Sequence, residues 1–315
     1  MSGVFISGMG AVSPAGWGVE ALLRVLEDAP LPVPQNIERP GWPHPLAVLR
    51  VPSASPRPAW ATHPRLRRSA RISQFAVGAA SEALGDDAGG PLGIVFCTMC
   101  GCVNYSRRFY DEVLRDPAVA SPLLFPETVF NAPASHLSTV FASVAANYTL
   151  VGDTGVFLHG LALGAGWLTD GRVDRCLVVA AEEVDWVTAD AFRHFQRAVL
   201  LAEGAGAVLL TRRRDAHTVA ELEFVTDAQP YHASQGRQGW VAALRLVREK
   251  MPDGPVIPTT LAGLGEGFSA GVAWQALATL DAVRREGLAR VLICVRGAYC
   301  EAIGASFTSS TSVVT

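Results

Sequence analysis

The chain has 315 residues, 50% of them hydrophobic and 17% charged, which supplies a substantial core for one large domain or two mid-sized ones and excludes a disordered chain. A formal net charge of -3 offers no field to attract nucleic acid or an anionic membrane. No apolar run reaches the length of a membrane span, and the opening residues lack a charged segment followed by a long apolar one, so neither secretion nor insertion is expected.

In chain order, residues 4–9 read as a strand ending among glycines, and 19–26 as a short helix, a βα opening. Residues 28–65 carry Pro30, Pro32, Pro34, Pro40, Pro43, Pro45, Pro52, Pro56 and Pro58, which rule out long helices and central strands and predict a long surface connection. An amphipathic helix follows over 69–84, a buried strand over 92–98, a helix over 135–147 and a strand over 148–152. Residues 156–168 form an almost wholly apolar helix with one histidine, and strands follow over 175–180 and 205–211. The remainder predicts a strand over 220–226, helices over 239–250 and 268–286, and strands over 290–296 and 302–308.

Two successive runs of βα units imply a layered α/β fold with an N-terminal half over 1–214 and a C-terminal half over 215–315, although no sequence repeat relates them. Of six cysteines, Cys176, Cys294 and Cys300 lie in or beside apolar strand-like runs, as expected of buried thiols in a reducing compartment, and the cytoplasm is the expected location. Cys97, Cys100 and Cys102 have no second Cys or His pair at zinc-site spacing and read as packing thiols; no metal is expected. The glycine pairs Gly8/Gly10 and Gly204/Gly206 belong to no phosphate-binding fingerprint, and no cofactor is implied.

Several segments resemble the β-ketoacyl synthases of fatty-acid and polyketide assembly. Residues 5–14 (FISGMGAVSP) resemble their opening strand and turn; Arg68 with the helix after it, residues 125–131 (FPETVFN) and residues 202–207 (AEGAGA) follow in the family's order. Residues 145–182, including the GRVD at 171–174, lie on the family's nucleophile region without a gap, and the resemblance covers nearly the whole chain. It implies a thiolase-like fold: duplicated βαβαβαββ halves in a five-layer α-β-α-β-α sandwich, with the second half shortened.

In that frame the family's nucleophilic cysteine falls on Thr154, at a strand-to-helix junction where a helix N-terminus would favour a thiolate. A threonine hydroxyl without an adjacent base is a poor nucleophile. The family's Lys-Ser-x-x-Gly-His motif aligns with residues 261–266 (LAGLGE), which puts Leu261 at the lysine and Glu266 at the histidine; nothing between Lys250 and Thr260 matches its Asn-x-His-Gly-Thr segment. A carboxylate at Glu266 would repel the enolate formed on decarboxylation. The resemblance therefore implies an acyltransferase-type fold unable to condense by itself.

Other residues have plainer readings beside the functional ones. His159 could serve as a base for Thr154 but reads first as a core histidine, and Asp153 reads first as an N-cap. Glu182 and Glu203 match acidic positions that brace loops in the family, with Glu183 and Asp185 as neighbours. Phe125, Phe130, Phe157 and Phe268 are candidates, with Asp153, Thr154, His159 and Glu266, for lining a pocket or acyl tunnel. The arginines at 65, 67, 68 and 212–214 read either as solvated faces or as a docking patch for an acidic acyl carrier protein.

The leading expectation is a non-catalytic, chain-length-factor-type subunit that pairs with an active ketosynthase in type II fatty-acid or polyketide synthesis, of a polyene or pigment-like product, with the strand over 148–152 as the contact element. Alternatives are a divergent acyltransferase or thioesterase acting on carrier-bound acyl chains through Asp153, Thr154, His159 or Glu266, and a structural homodimeric scaffold.

Overall fold

A computed structural model describes residues 3–27, 30–85, 91–257 and 261–309; the expected mismatch over 250–260 lies partly outside these. The strands are β1 (Phe5–Ser13), β2 (Gly16–Trp17), β3 (Gln35–Ile37), β4 (Leu46–Val48), β5 (Leu92–Thr98), β6 (Asn147–Val151), β7 (Arg175–Glu182), β8 (Gly204–Thr211), β9 (Ala220–Val225), β10 (Gln229–Pro230), β11 (Arg290–Arg296) and β12 (Glu301–Ser309). The helices are α1 (Val19–Arg24), α2 (Arg71–Leu84), α3 (Val103–Arg115), α4 (Ala132–Val140), α5 (Val156–Thr169), α6 (Trp186–Arg193), α7 (Gly236–Lys250) and α8 (Phe268–Glu286).

Strands run in the order β10-β12-β9-β1-β8-β7-β5-β6, with β11 on the far side of β12. The first half supplies β1, β8, β7, β5 and β6; β5 pairs in parallel with both β7 and β6, and every other pairing is antiparallel. The join to the second half is thin: β1 meets β9 only at Phe5/Glu221 and Ile6/Ala220. Apolar runs such as LGIVFCT in β5, buried at every residue, need cover on both faces. α2 and α4 cover one face through Phe75, Ala79, Ala83 and Leu137. α5 and α8 lie against the other face and carry β9, β12 and β11 on their far side. Over those strands α7 adds the outermost layer, with Ala243 and Val247 on Leu292 and Ala302. The result is the five-layer α-β-α-β-α sandwich, with a second half of three long strands against five in the first.

Gly8 and Gly10 contribute by what they lack. A Cβ at either would strike the backbone carbonyl of Ala83 or Ala79, so their absence lets α2 lie directly on β1.

Several expected elements need correction. The proline-rich connection is not wholly a surface loop. Residues 46–51 contain no proline and keep their N–H donors, so β4 pairs with β3, and Leu49 N donates to Leu201 O at 2.8 Å while its carbonyl accepts from Glu203 N. Val48, Leu49 and Val51 are buried as a consequence. The helix expected over 135–147 starts at Ala132, where Pro133 suits a first turn, and stops at Val140, so that Asn147 already belongs to β6. α3 and α6 were not expected. α3 is mostly polar with no fully buried residue, and α6 depends on a capping box in which Asp185 accepts from Val187 N and Thr188 Oγ1 returns to the Asp185 backbone.

Candidate functional site

β6 ends at Val151, and the chain turns through residues 152–155 into α5, whose residues VFLHGLALGAGWLT are apolar on nearly every face because sheets lie on both sides. Gly160 and Gly164 face Cys97 and Cys176, so α5 sits close on β5 and β7. This packing drives the head of α5, with Asp153 and Thr154, into the interior, where the two residues are 3% and 4% exposed.

Asp153 does not cap α5. The cap position is Gly155, with no side-chain cap bond. The Asp153 carboxylate instead reaches the turn between β11 and β12: Oδ1 accepts from Thr154 N (2.8 Å) and Ala298 N (2.6 Å), and Oδ2 from Tyr299 N (3.2 Å), Cys300 N (2.9 Å) and Glu301 N (3.3 Å). His159 is not a core histidine either. Its side chain is 39% exposed, and Nε2 lies 3.2 Å from Glu301 Oε1. Its partner is Glu301, at the start of β12. Among the described residues, the Thr154 hydroxyl makes no hydrogen bond to His159, Glu266 or any other base.

Glu266 N donates to Leu200 O at 2.8 Å, and its Oε1 accepts from Phe268 N at 2.7 Å. Burial raises its carboxyl above the usual range, the Arg296 charge pulls it back and the Asp153 charge adds to the rise. Asp153, Glu266 and Arg296 thus share one electrostatic neighbourhood. Leu261 is buried in the central core. Phe268, which follows Glu266 and holds φ +48, packs edge-to-face on Phe192 with centroids 5.3 Å apart.

The tunnel candidates separate. Phe157 is fully buried within the central core, whereas Phe125 and Phe130 are 56% and 46% exposed at the surface before α4. On β6, an edge strand hydrogen-bonded on one side only, Tyr148 (55%) and Val151 (52%) are exposed on opposite faces, and Tyr110, Leu114 and Leu123 are exposed around α3.

The acidic residues form the polar skeleton. Glu182 accepts from Met99 N (2.6 Å), Cys100 N (3.0 Å), Ser269 Oγ (2.5 Å) and Thr98 Oγ1 (3.3 Å), which ties the end of β5 to the head of α8; burial pushes its carboxyl up to about 7. Glu203, fully buried, meets Arg71 at 2.6 Å and Arg50 at 2.9 Å. Glu183 and Asp185 are more than neighbours: Glu183 accepts from Ile72 N and Asn104 N at the heads of α2 and α3, and Asp185 pairs with Arg107. Cys97 and Cys102 are buried thiols raised far above the ordinary range by burial, and no three His, Cys, Asp or Glu side chains among the described residues could hold a metal ion. Sequence reasoning missed Tyr231, Arg296, Gly297 and Glu301, which carry no motif and reach α5 only through the β11–β12 hairpin.

A sequence model of the 3-oxoacyl-[acyl-carrier-protein] synthase III family matches residues 154–228, beginning at the α5 junction. No curated protein matches the sequence. Among solved structures, "The ishigamide ketosynthase/chain length factor" superposes with a TM-score of 0.79 at 19% identity, covering 97% of this chain and 99% of its own. This is the thiolase-like ketosynthase fold. A type II PKS acyl-carrier protein in complex with its ketosynthase bound to the hexaketide (AntDE:AntF) gives 0.77 at 13% identity, over 97% and 99% of the two chains. The ketosynthase ApeO in complex with its chain length factor ApeC, from Xenorhabdus doucetiae, gives 0.69 at 14% identity, over 98% of each chain. No helix among the described residues is long and apolar enough to cross a membrane.

Proposed function

We propose that this chain is a non-catalytic ketosynthase-like subunit that pairs with an active ketosynthase and works on acyl chains carried by an acyl carrier protein. What supports the reading is the head of α5, where the Thr154 hydroxyl has no base in hydrogen-bond contact, together with the sequence resemblance, which would put Thr154, Leu261 and Glu266 at the family's catalytic positions. The open edge of β6, with Tyr148 and Val151 exposed on it, supports the pairing, since a sheet continued across a two-fold axis would cover that edge. Neighbours described as a ketosynthase with its chain length factor, and as a ketosynthase with an acyl-carrier protein, support the same partners. In the pair, the exposed Phe125 and Phe130 would be candidates to meet the partner, and Phe157, in the core of α5, would be the first candidate for setting the depth of an acyl tunnel.

One observation favours the second reading, an altered acyltransferase or thioesterase: the half-exposed His159–Glu301 pair has a proton acceptor and an orienting carboxylate in contact. Co-expression with candidate ketosynthases, followed by intact-mass spectrometry after incubation with acyl- and malonyl-loaded carrier protein, separates the two. Acyl mass on the partner alone supports the subunit; acyl mass on this chain, or hydrolysis by it alone, supports the enzyme.

A further inference from the structure

Five backbone N–H groups converge on one point at the head of α5, and a side chain fills that point. Four of them, from residues 298–301, are consecutive in the β11–β12 turn, and the fifth is Thr154 N. Successive amides aimed at one centre form a concavity that binds anions, and its occupant here is the chain's own Asp153 carboxylate, 3% exposed. The fit is built from both sides. Gly297 closes the turn by donating to Glu301 O at 2.7 Å, and any Cβ on it would collide with the Asp153 carboxylate. Tyr231 grips the turn from outside, its hydroxyl donating to Gly297 O at 2.6 Å and its N–H to Cys300 O at 2.8 Å. The turn is therefore anchored by contacts independent of Asp153.

We propose that this turn and the α5 head form a carboxylate-binding site that the chain keeps closed with Asp153, and that removing this side chain exposes a site for small monocarboxylates. Five N–H donors beside Thr154 are the kind of array that would stabilise negative charge developing on an acyl oxygen. With a carboxylate already bound there, an acyl oxygen meets a filled site and a like charge. This chemical meaning rests on the subunit reading given above, whereas the anion site rests only on the hydrogen bonds.

The test is chemical rescue. Asp153→Ala leaves the methyl of the lost side chain and should accept formate; Asp153→Gly removes the whole side chain and should accept acetate. Thermal unfolding of each variant is followed as its carboxylate is titrated at constant ionic strength with chloride. The expected result is a rise in Tm that grows with the logarithm of carboxylate concentration above Kd and reaches about 2 °C at roughly ten times Kd, absent in wild type and in Asp153→Asn, whose amide fills the space. Should a variant be insoluble, refolding yield with formate or acetate against chloride reads the same equilibrium, and a selective gain counts as rescue. Loss of stability with no selective response in either measurement overturns the proposal and leaves Asp153 as a structural brace. That outcome leaves the subunit reading intact, because acylation of the partner is measured separately.

Discussion

Raising the pH through neutrality perturbs Glu182, a deeply buried acid of the polar skeleton. It is 1% exposed, and burial lifts its carboxyl from 4.5 to about 7, partly offset by bonds from Ser269, Met99, Cys100 and Thr98. Between those two values the folded protein holds a proton that the unfolded chain has released. Stability falls with pH there by up to about 1.4 kcal/mol per unit. The contribution is fully present below the unfolded pKa and declines by about 3 kcal/mol as the pH climbs through the folded one. Glu82, Glu183 and Glu266 are also raised by burial and add slopes of the same sign, so the useful quantity is a difference. Urea midpoints of wild type and Glu182→Gln, which does not titrate, are compared from about pH 5 to about pH 8. The stability of wild type relative to the variant should fall by about 3 kcal/mol across the series. A difference that stays flat, or grows with pH, refutes the assignment of this proton to Glu182.

Glu203→Ala leaves Val51 N and Val184 N without their acceptor beside the partly exposed Arg50 and Arg71 and should cost about 1–3 kcal/mol in chemical denaturation, with Glu203→Gln costing less. Gly160→Ala drives a methyl into Cys97 Sγ beneath α5 and should destabilise by about 1–3 kcal/mol, read in the same assay. Replacing Tyr148 and Val151 together by Asp puts charge on the open edge of β6; affinity for the partner should drop at least about tenfold by light scattering or calorimetry while Tm barely moves. Cys97, Cys102 and Cys176 should resist alkylation at mildly alkaline pH until the chain unfolds, as burial raises all three thiols, and peptide mass spectrometry reports each one.

Much of the fold was legible in the sequence. α8 and β11 fall on their expected residues because an unbroken apolar helix between two sheets, and a short apolar run bounded by turn residues, have few alternatives. The thiolase-like layering was legible too, through segments spread along the chain. What remained hidden depends on contacts between distant residues. Polar helices such as α3 have no strong local pattern and are fixed by partners such as Glu183 and Asp185. Local sequence offered a helix cap for Asp153 and a core place for His159, and both readings failed for one reason: the β11–β12 hairpin, some 140 residues away, arrives at the head of α5 with four free amides and a carboxylate. The sequence by itself determined which side chains stand at Thr154, Leu261 and Glu266, since residue identity needs no fold. Only the tertiary structure decided where Asp153 and His159 point, because a buried acid goes to whichever donors the fold brings within hydrogen-bond reach.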